Sequence, residues 1–279
     1  MKKLLLLFLF STQVSIAQDR LDGKTWAGRS EAIAQNGMVA TSHPLSTQAA
    51  IEILRAGGNA IDAAIAANAM EGVVEPHVNG IGGDIFAIIW DAKTKKLYGL
   101  NGSGRSPYSL SLAELKKRGL THIPSTGPLP VSVPGCVDGW FEMHKKFGSM
   151  PMERILSHAV NYARNGFPVH DELALSLTRV IRSLREIPER KGTLLPNGDV
   201  PTKGDTFKNS NLANTLENIA KGGRGAFYKG DIAQTIDKSM KANGGFLSYK
   251  DLADHTSNWI DPVSTNYRGY DVWELPPNG

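Results

Sequence analysis

The stretch that decides the fold runs over residues 36–76, NGMVATSHPLSTQAAIEILRAGGNAIDAAIAANAMEGVVEP. Met38 to Thr41 read as a short strand. Ser46 or Thr47 can cap a helix by accepting backbone N–H bonds. Ala50, Ile53, Leu54 and Gly57 follow helical spacing, and Gly57–Gly58 stops that helix, since glycine takes left-handed backbone at little cost. Asn59 can cap the next helix, with Ile61, Ala64, Ile65, Asn68 and Ala69 on its buried face. The many alanines imply close packing against another layer. Glu71 and Glu75 lie one turn apart and could face one site, but we read them as the exposed end of the helix.

Outward from this core comes NGIGGDIFAIIWD, in which Gly80, Gly82 and Gly83 make a tight approach. Ile85 to Trp90 are continuously apolar, which predicts a strand covered on both faces. The polar turn AKTKK and a second strand from about Lys96 to Leu100 complete a β-hairpin. It delivers the chain to NGSGRSP, residues 101–107. Beyond it, SLSLAELKKRG, CVDGWFEMHKKFG, MERILSHAVNYARNG and NLANTLENIAKGG read as helices closed by glycine. FLSYKDLADH reads as a short helix, and Tyr270, Val272, Trp273 and Leu275 as a last strand. Strands clustered early and late among irregularly placed helices predict an α+β fold, helices packed on a mixed or antiparallel sheet.

The chain has 279 residues, 41% hydrophobic and 21% charged, enough for a sizeable core. Lys2–Lys3, the apolar run Leu4 to Phe10 and the small residues of Ser15–Ile16–Ala17 form a signal peptide over residues 1–17, with the mature chain starting near Gln18. This predicts a periplasmic or secreted protein. The apolar run is far shorter than the ~20 residues that span a bilayer, and no later segment is long enough. Removing Lys2 and Lys3 lowers the net charge from +4 to +2. With no basic stripe interleaved with aromatics, nucleic acid is not an expected partner. The single cysteine, Cys136, cannot form an internal disulfide; among apolar and small neighbours it reads as a buried structural thiol.

Common catalytic patterns are missing. Asn101 stands where a G-x-S-x-G elbow needs glycine, and NGIGGD lacks both the dinucleotide spacing and a phosphate-loop lysine. His43, His77, His122, His144, His158, His170 and His255 are scattered, and none forms H-E-x-x-H, which argues against a metal site. Arg105 is different. Gly102 and Gly104 let the backbone approach a ligand, and Pro107 restricts Ser106 and stiffens the loop's exit. A guanidinium grips a carboxylate with paired hydrogen bonds. Spacing alone leaves two readings open, an anion-binding arginine and a solvated loop arginine.

Residues 37–107, together with PGCVDGW (134–140) and STNYRGYDVWELPPNG (264–279), resemble the N-terminal part of the large chain of γ-glutamyltransferases, also called γ-glutamyltranspeptidases or glutathione hydrolases. The resemblance implies an N-terminal nucleophile hydrolase, an αββα sandwich of two sheets between helical layers, of which residues 18–279 form the N-terminal portion. It implies a precursor that cuts itself to expose a threonine, whose own amino group serves as base. The expected substrates are glutathione and related γ-glutamyl compounds, with water or an amino acid as acceptor and no metal or organic cofactor. The catalytic threonine and the small chain are expected beyond residue 279, so this chain by itself is expected to carry no nucleophile and to be inactive; Thr265, inside VSTNYRGY, is in the wrong place. An arginine in this loop holds the substrate α-carboxylate in the family, and the matching position is Arg105. Many glutathione-acting members carry glutamate directly after it, where this chain has Ser106. That departure keeps a related acylase, acting on β-lactam side chains, as an alternative. A non-catalytic binding protein that keeps the arginine is the alternative of another class.

Overall fold

The structure is a computed structural model that describes residues 31–186, 193–196 and 198–278. The expected signal peptide, residues 1–17, lies outside the described residues. Residues 1–38 and 39–279 form separate compact units. Of the first, the described residues 31–38 contain no helix or strand.

The second unit opens with helices α1 (Pro44–Arg55) and α2 (Ala60–Val74). Strands β1 (Ile85–Asp91) and β2 (Lys96–Gly102) follow as the predicted antiparallel hairpin, pairing Ile85 with Gly102 and Asp91 with Lys96. Helices α3 (Leu112–Lys117), α4 (Cys136–Phe147) and α5 (Met152–Asn165) come next. The short strand β3 (Phe167–Pro168) pairs across α6 (Asp171–Glu186) with β4 (Thr206–Phe207). Then come α7 (Ser210–Tyr228), α8 (Asp231–Ala242) and α9 (Tyr249–Asp254). Strand β5 (Asn258–Ile260) joins the hairpin in the order β1-β2-β5, while β6 (Val263–Tyr267) and β7 (Tyr270–Glu274) form a separate hairpin. The α+β expectation holds.

Local chemistry explains the start of the core. Asn59 caps α2 as expected: its side chain accepts from the backbone of Ile61 and Asp62, and Asp62 answers the Asn59 N–H, a reciprocal capping box. Asp62 then bonds the backbone and hydroxyl of Ser149, which fastens α2 to the α4–α5 connection. Helix α1 corrects two expectations. Its cap is His43, whose Nδ1 accepts from Leu45 N, and not Ser46 or Thr47, because Pro44 starts the helix earlier. Residues 38–41 form no strand, having no partner ladder. Ala64 is exposed, whereas Ala63, Ala66, Ala67 and Met70 are buried, so α2 is wrapped on more sides than one stripe predicts. It packs on α1, α4 and α5.

Helix α4 lies on β1 and β2. That leaves the other sheet face open: Ile85 is buried, but Phe86, Ile88 and Trp90 are 40%, 44% and 60% exposed. The expectation of a strand covered on both faces is therefore corrected, because among the described residues helices cover one face only. The glycines expected to close NLANTLENIAKGG do close its first segment, and α7 continues beyond them as a second one. Gly223 takes φ 66°, ψ −164°, the chain turns there, and helix resumes at Arg224.

Candidate functional site

The Arg105 loop grows directly from the end of β2. The Asn101 side chain accepts the Ser103 N–H at 2.9 Å, and Asp84 accepts the Gly104 N–H at 3.2 Å. Val133 N donates to Arg105 O at 3.0 Å. The glycines allow this crossing. A Cβ on Gly104 would overlap the Val133 carbonyl, and one on Gly135 would overlap the Gly102 carbonyl. Pro107 is buried and starts a turn that Leu110 N closes. The loop is thus held by its backbone on one side while Arg105 and Ser106 stay exposed.

The guanidinium has two ties. Nη1 donates to Thr256 O at 2.7 Å, and Nη2 to the Asn258 side chain at 3.4 Å. Arginine carries more N–H donors than these contacts use. Among the described residues Arg105 has no hydrogen bond to a carboxylate. Asn278 also reaches the loop, donating to the Ser103 hydroxyl at 3.0 Å and accepting from Asn101 at 2.9 Å. On the other side of Asp84, residues 76–80 and 82–84 line an open cleft of about 380 Å³.

Beneath the Thr256–Asn258 segment lies a knot that sequence spacing did not reveal. Asp138, on the first turn of α4, is 1% exposed. One of its oxygens pairs with Arg224 Nε, and the other accepts Ser257 N at 2.5 Å. A second arm of Arg224 donates to His255 O. The Tyr228 hydroxyl accepts Asp138 N at 2.9 Å and donates to Pro134 O at 2.7 Å. Its ring stacks on His255, with centroids 5.5 Å apart. Neither ring nitrogen of His255 has a hydrogen-bond partner among the described residues, and Nε2 stands 3.9 Å from the nearer Asp138 oxygen. Burial pulls this imidazole below its ordinary pKa, against the pull of Asp138 and with help from Arg105 and Arg224.

Glu71 and Glu75 overturn the reading of an exposed helix end. Both are buried, and Ser42 donates to both carboxylates. Burial first, then the hydrogen bond to Glu75 and its charge, push Glu71 up to about 7. Burial also works to raise Glu75, but Glu71, Ser42, His43 and His77 outweigh it and leave Glu75 low. The pair therefore shares a proton. It has no partner in common with Arg105 among the described residues.

Cys136 is buried as expected, its thiol 3.3 Å from Asn68 Oδ1 and pushed up to about 12 by burial, so it is no nucleophile. Among the described residues no group of three histidine, cysteine or acidic side chains could hold a metal ion, and no helix is long and apolar enough to cross a membrane.

Three relatives place this architecture. It is similar to the cephalosporin acylase of Bacillus halodurans, with a TM-score of 0.84 and 40% identity over 93% of this chain and 50% of that one. Its likeness to the Helicobacter pylori gamma-glutamyltranspeptidase has the same TM-score, at 31% identity over 89% of this chain and 72% of that one. The glutathione hydrolase-like YwrD proenzyme of Bacillus subtilis is 39% identical over 86% of this chain and 46% of its own length. Helices on one face of an antiparallel sheet, superposing on these enzymes, are the α+β fold of the N-terminal nucleophile hydrolases. Residues 46–279 match the gamma-glutamyltranspeptidase family model, and the chain belongs to that family. It spans less than half the length of the curated relatives it matches.

Proposed function

We propose that this chain is the large-chain portion of an exported, self-processing enzyme that cleaves γ-glutamyl amides, and that Arg105 grips the substrate α-carboxylate. Glutathione and related γ-glutamyl compounds are the substrates, and water or an amino acid accepts the glutamyl group. The nucleophile is a threonine beyond residue 279, on the small chain of the same precursor, with its own amino group as base. The observation that carries the reading is the Arg105 guanidinium: exposed at the end of a backbone-locked loop, tied by two donors, and bonded to no carboxylate among the described residues. The open apolar face of β1 supports a second layer supplied by the partner chain. Export rests on residues 1–17, and mass spectrometry should find a mature start near Gln18.

The test is Arg105→Lys in the complete, processed enzyme. Lysine keeps the charge and loses the planar fork. On the order of 2–4 kcal/mol of charge-assisted pairing is at stake. That predicts a fall in kcat/KM of roughly thirtyfold to a thousandfold, mostly in KM. A substrate lacking the α-carboxylate should be nearly indifferent. Equal kcat/KM for variant and wild type would refute the carboxylate role.

Ser106 directly after Arg105 favours a second reading, an amide acylase of the β-lactam side-chain type. The likeness to the Bacillus halodurans cephalosporin acylase supports it. A γ-glutamyl amide and the matching glutaryl amide, which lacks the amino group, separate the two by which is used faster. Release of neither product by the processed protein would favour a non-catalytic binding role.

A further inference from the structure

We propose that Asp138 is a positioning residue for Arg105, acting through the 255–258 segment. The proposal rests on reading Arg105 as the carboxylate grip. An exposed arginine on a long stem samples many rotamers, and binding must then pay for ordering it. Here Thr256 O and the Asn258 side chain hold the guanidinium, so its aim depends on where those acceptors stand. Thr256 lies between the end of α9 and the start of β5, outside any ladder. What locates it is Asp138: one oxygen takes Ser257 N, and the other holds Arg224, whose second arm takes His255 O. The residues on either side of Thr256 are thus both tied to one buried carboxylate, directly or through one arginine.

The charge of Asp138 matters as well as its shape. A carboxylate accepts on both oxygens, and both its partners here are N–H donors. Asparagine in the same place would turn an NH2 toward one of those donors. It would also leave Arg224 without its counter-charge, close to Arg105. The expected result is a loosened platform and a misaimed guanidinium, in a protein whose core is otherwise unchanged.

The experiment is a double-mutant cycle of Asp138→Asn and Arg105→Ala in the complete, self-processed enzyme, assayed on a γ-glutamyl anilide. We expect Asp138→Asn to raise KM about tenfold with kcat within about threefold. In the Arg105→Ala background it should add almost nothing, because a residue that acts through another has no effect once the other is gone. A full additional tenfold in that background, or a loss in kcat with KM unchanged, overturns the proposal. Asp138→Glu should recover part of the KM, which a neutral replacement of the same size cannot.

If Arg105→Ala leaves KM unchanged, the reading of Arg105 fails by itself. Positioning is then decided by a crystal structure of Asp138→Asn: loss of the Arg105–Thr256 bond supports it, and retention overturns it. Should Asp138→Asn fail to fold or process, Arg224→Lys takes its place, since it keeps the ion pair and drops the arm to His255. The same KM-only rise, absent in the Arg105→Ala background, is expected, and an unchanged KM overturns the proposal.

Discussion

Two buried acidic sites in this chain solve the same problem in different ways. Asp138 is neutralised by a cation, Arg224, and its remaining oxygen takes a backbone N–H. Among the described residues Glu71 and Glu75 have no lysine or arginine partner, and a shared proton relieves their repulsion, with Ser42 bridging. An ion pair persists across a wide pH range and holds its partners in fixed directions. A shared proton is lost within the neutral range, and with it the contact. The first arrangement sits under the segment that holds the Arg105 guanidinium. The second ties the segment before α1 to the end of α2.

The largest effect should come from breaking the ion pair. Asp138→Ala leaves Arg224, Ser257 N and His255 O without their common anchor, and removing one partner of a buried pair costs about 3–5 kcal/mol. Urea unfolding should show it. A loss under about 1 kcal/mol would mean the knot is no more than a surface contact, and the contrast would collapse.

Backbone fit is the rival explanation for the fixed loop, and Gly104→Ala measures its share. The new methyl has to displace the Val133 carbonyl, so a loss of about 1–3 kcal/mol is expected, typical of overpacking. If the variant matches wild type in thermal unfolding, the crossing of 102–105 over 133–135 is looser than its geometry.

Glu71→Gln sharpens the other side. The folded pKa of Glu71 lies above its ordinary value, so its contribution is fully present below about 4.5 and is lost as pH rises through about 7. Glutamine mimics the protonated acid at every pH. The variant should therefore be more stable than wild type at pH 8, by on the order of 1 kcal/mol. The gap should close as pH falls towards 4.5. A gap that is constant with pH would rule out the shared proton.

His255→Phe should have the smallest effect at neutral pH, within about 1 kcal/mol, since phenylalanine keeps the stack on Tyr228 and discards two nitrogens that make no hydrogen bond among the described residues. The folded pKa of His255 lies below its ordinary 6.5, so its stability is present above that value and is lost as pH falls through the folded one. Asp138 and Asp84 oppose this shift, while Arg105 and Arg224 assist it. Scanning calorimetry at pH 5 should find the variant ahead of wild type. An identical pH profile would show that His255 has the same pKa folded and unfolded, against the lowering by burial.

Legibility in the sequence followed the range of the interaction. The Asn59 cap, the hairpin from Ile85 and most helix ends rest on neighbours a few residues apart, and all were readable. The α1 cap went astray by one turn, although Pro44 marks the start. The two faces of β1 were not separable, because Ile85 to Trp90 are apolar throughout and only the one-sided packing of α4 distinguishes them. Glu71 and Glu75 carried a helical spacing but no sign of burial, which Ser42 and His43 impose from the other side.

Family, fold class and the exposed Arg105 loop were determined by the sequence alone, because they depend on local patterns and on one long resemblance. Only the tertiary structure decided what aims the arginine. Asp138 meets Arg224 across 86 positions and Ser257 across 119, and no local spacing encodes such a meeting. The helix turn at Gly223 and the packing of α4 on the sheet bring these groups together, since a buried carboxylate is tolerated only where the fold delivers its partners.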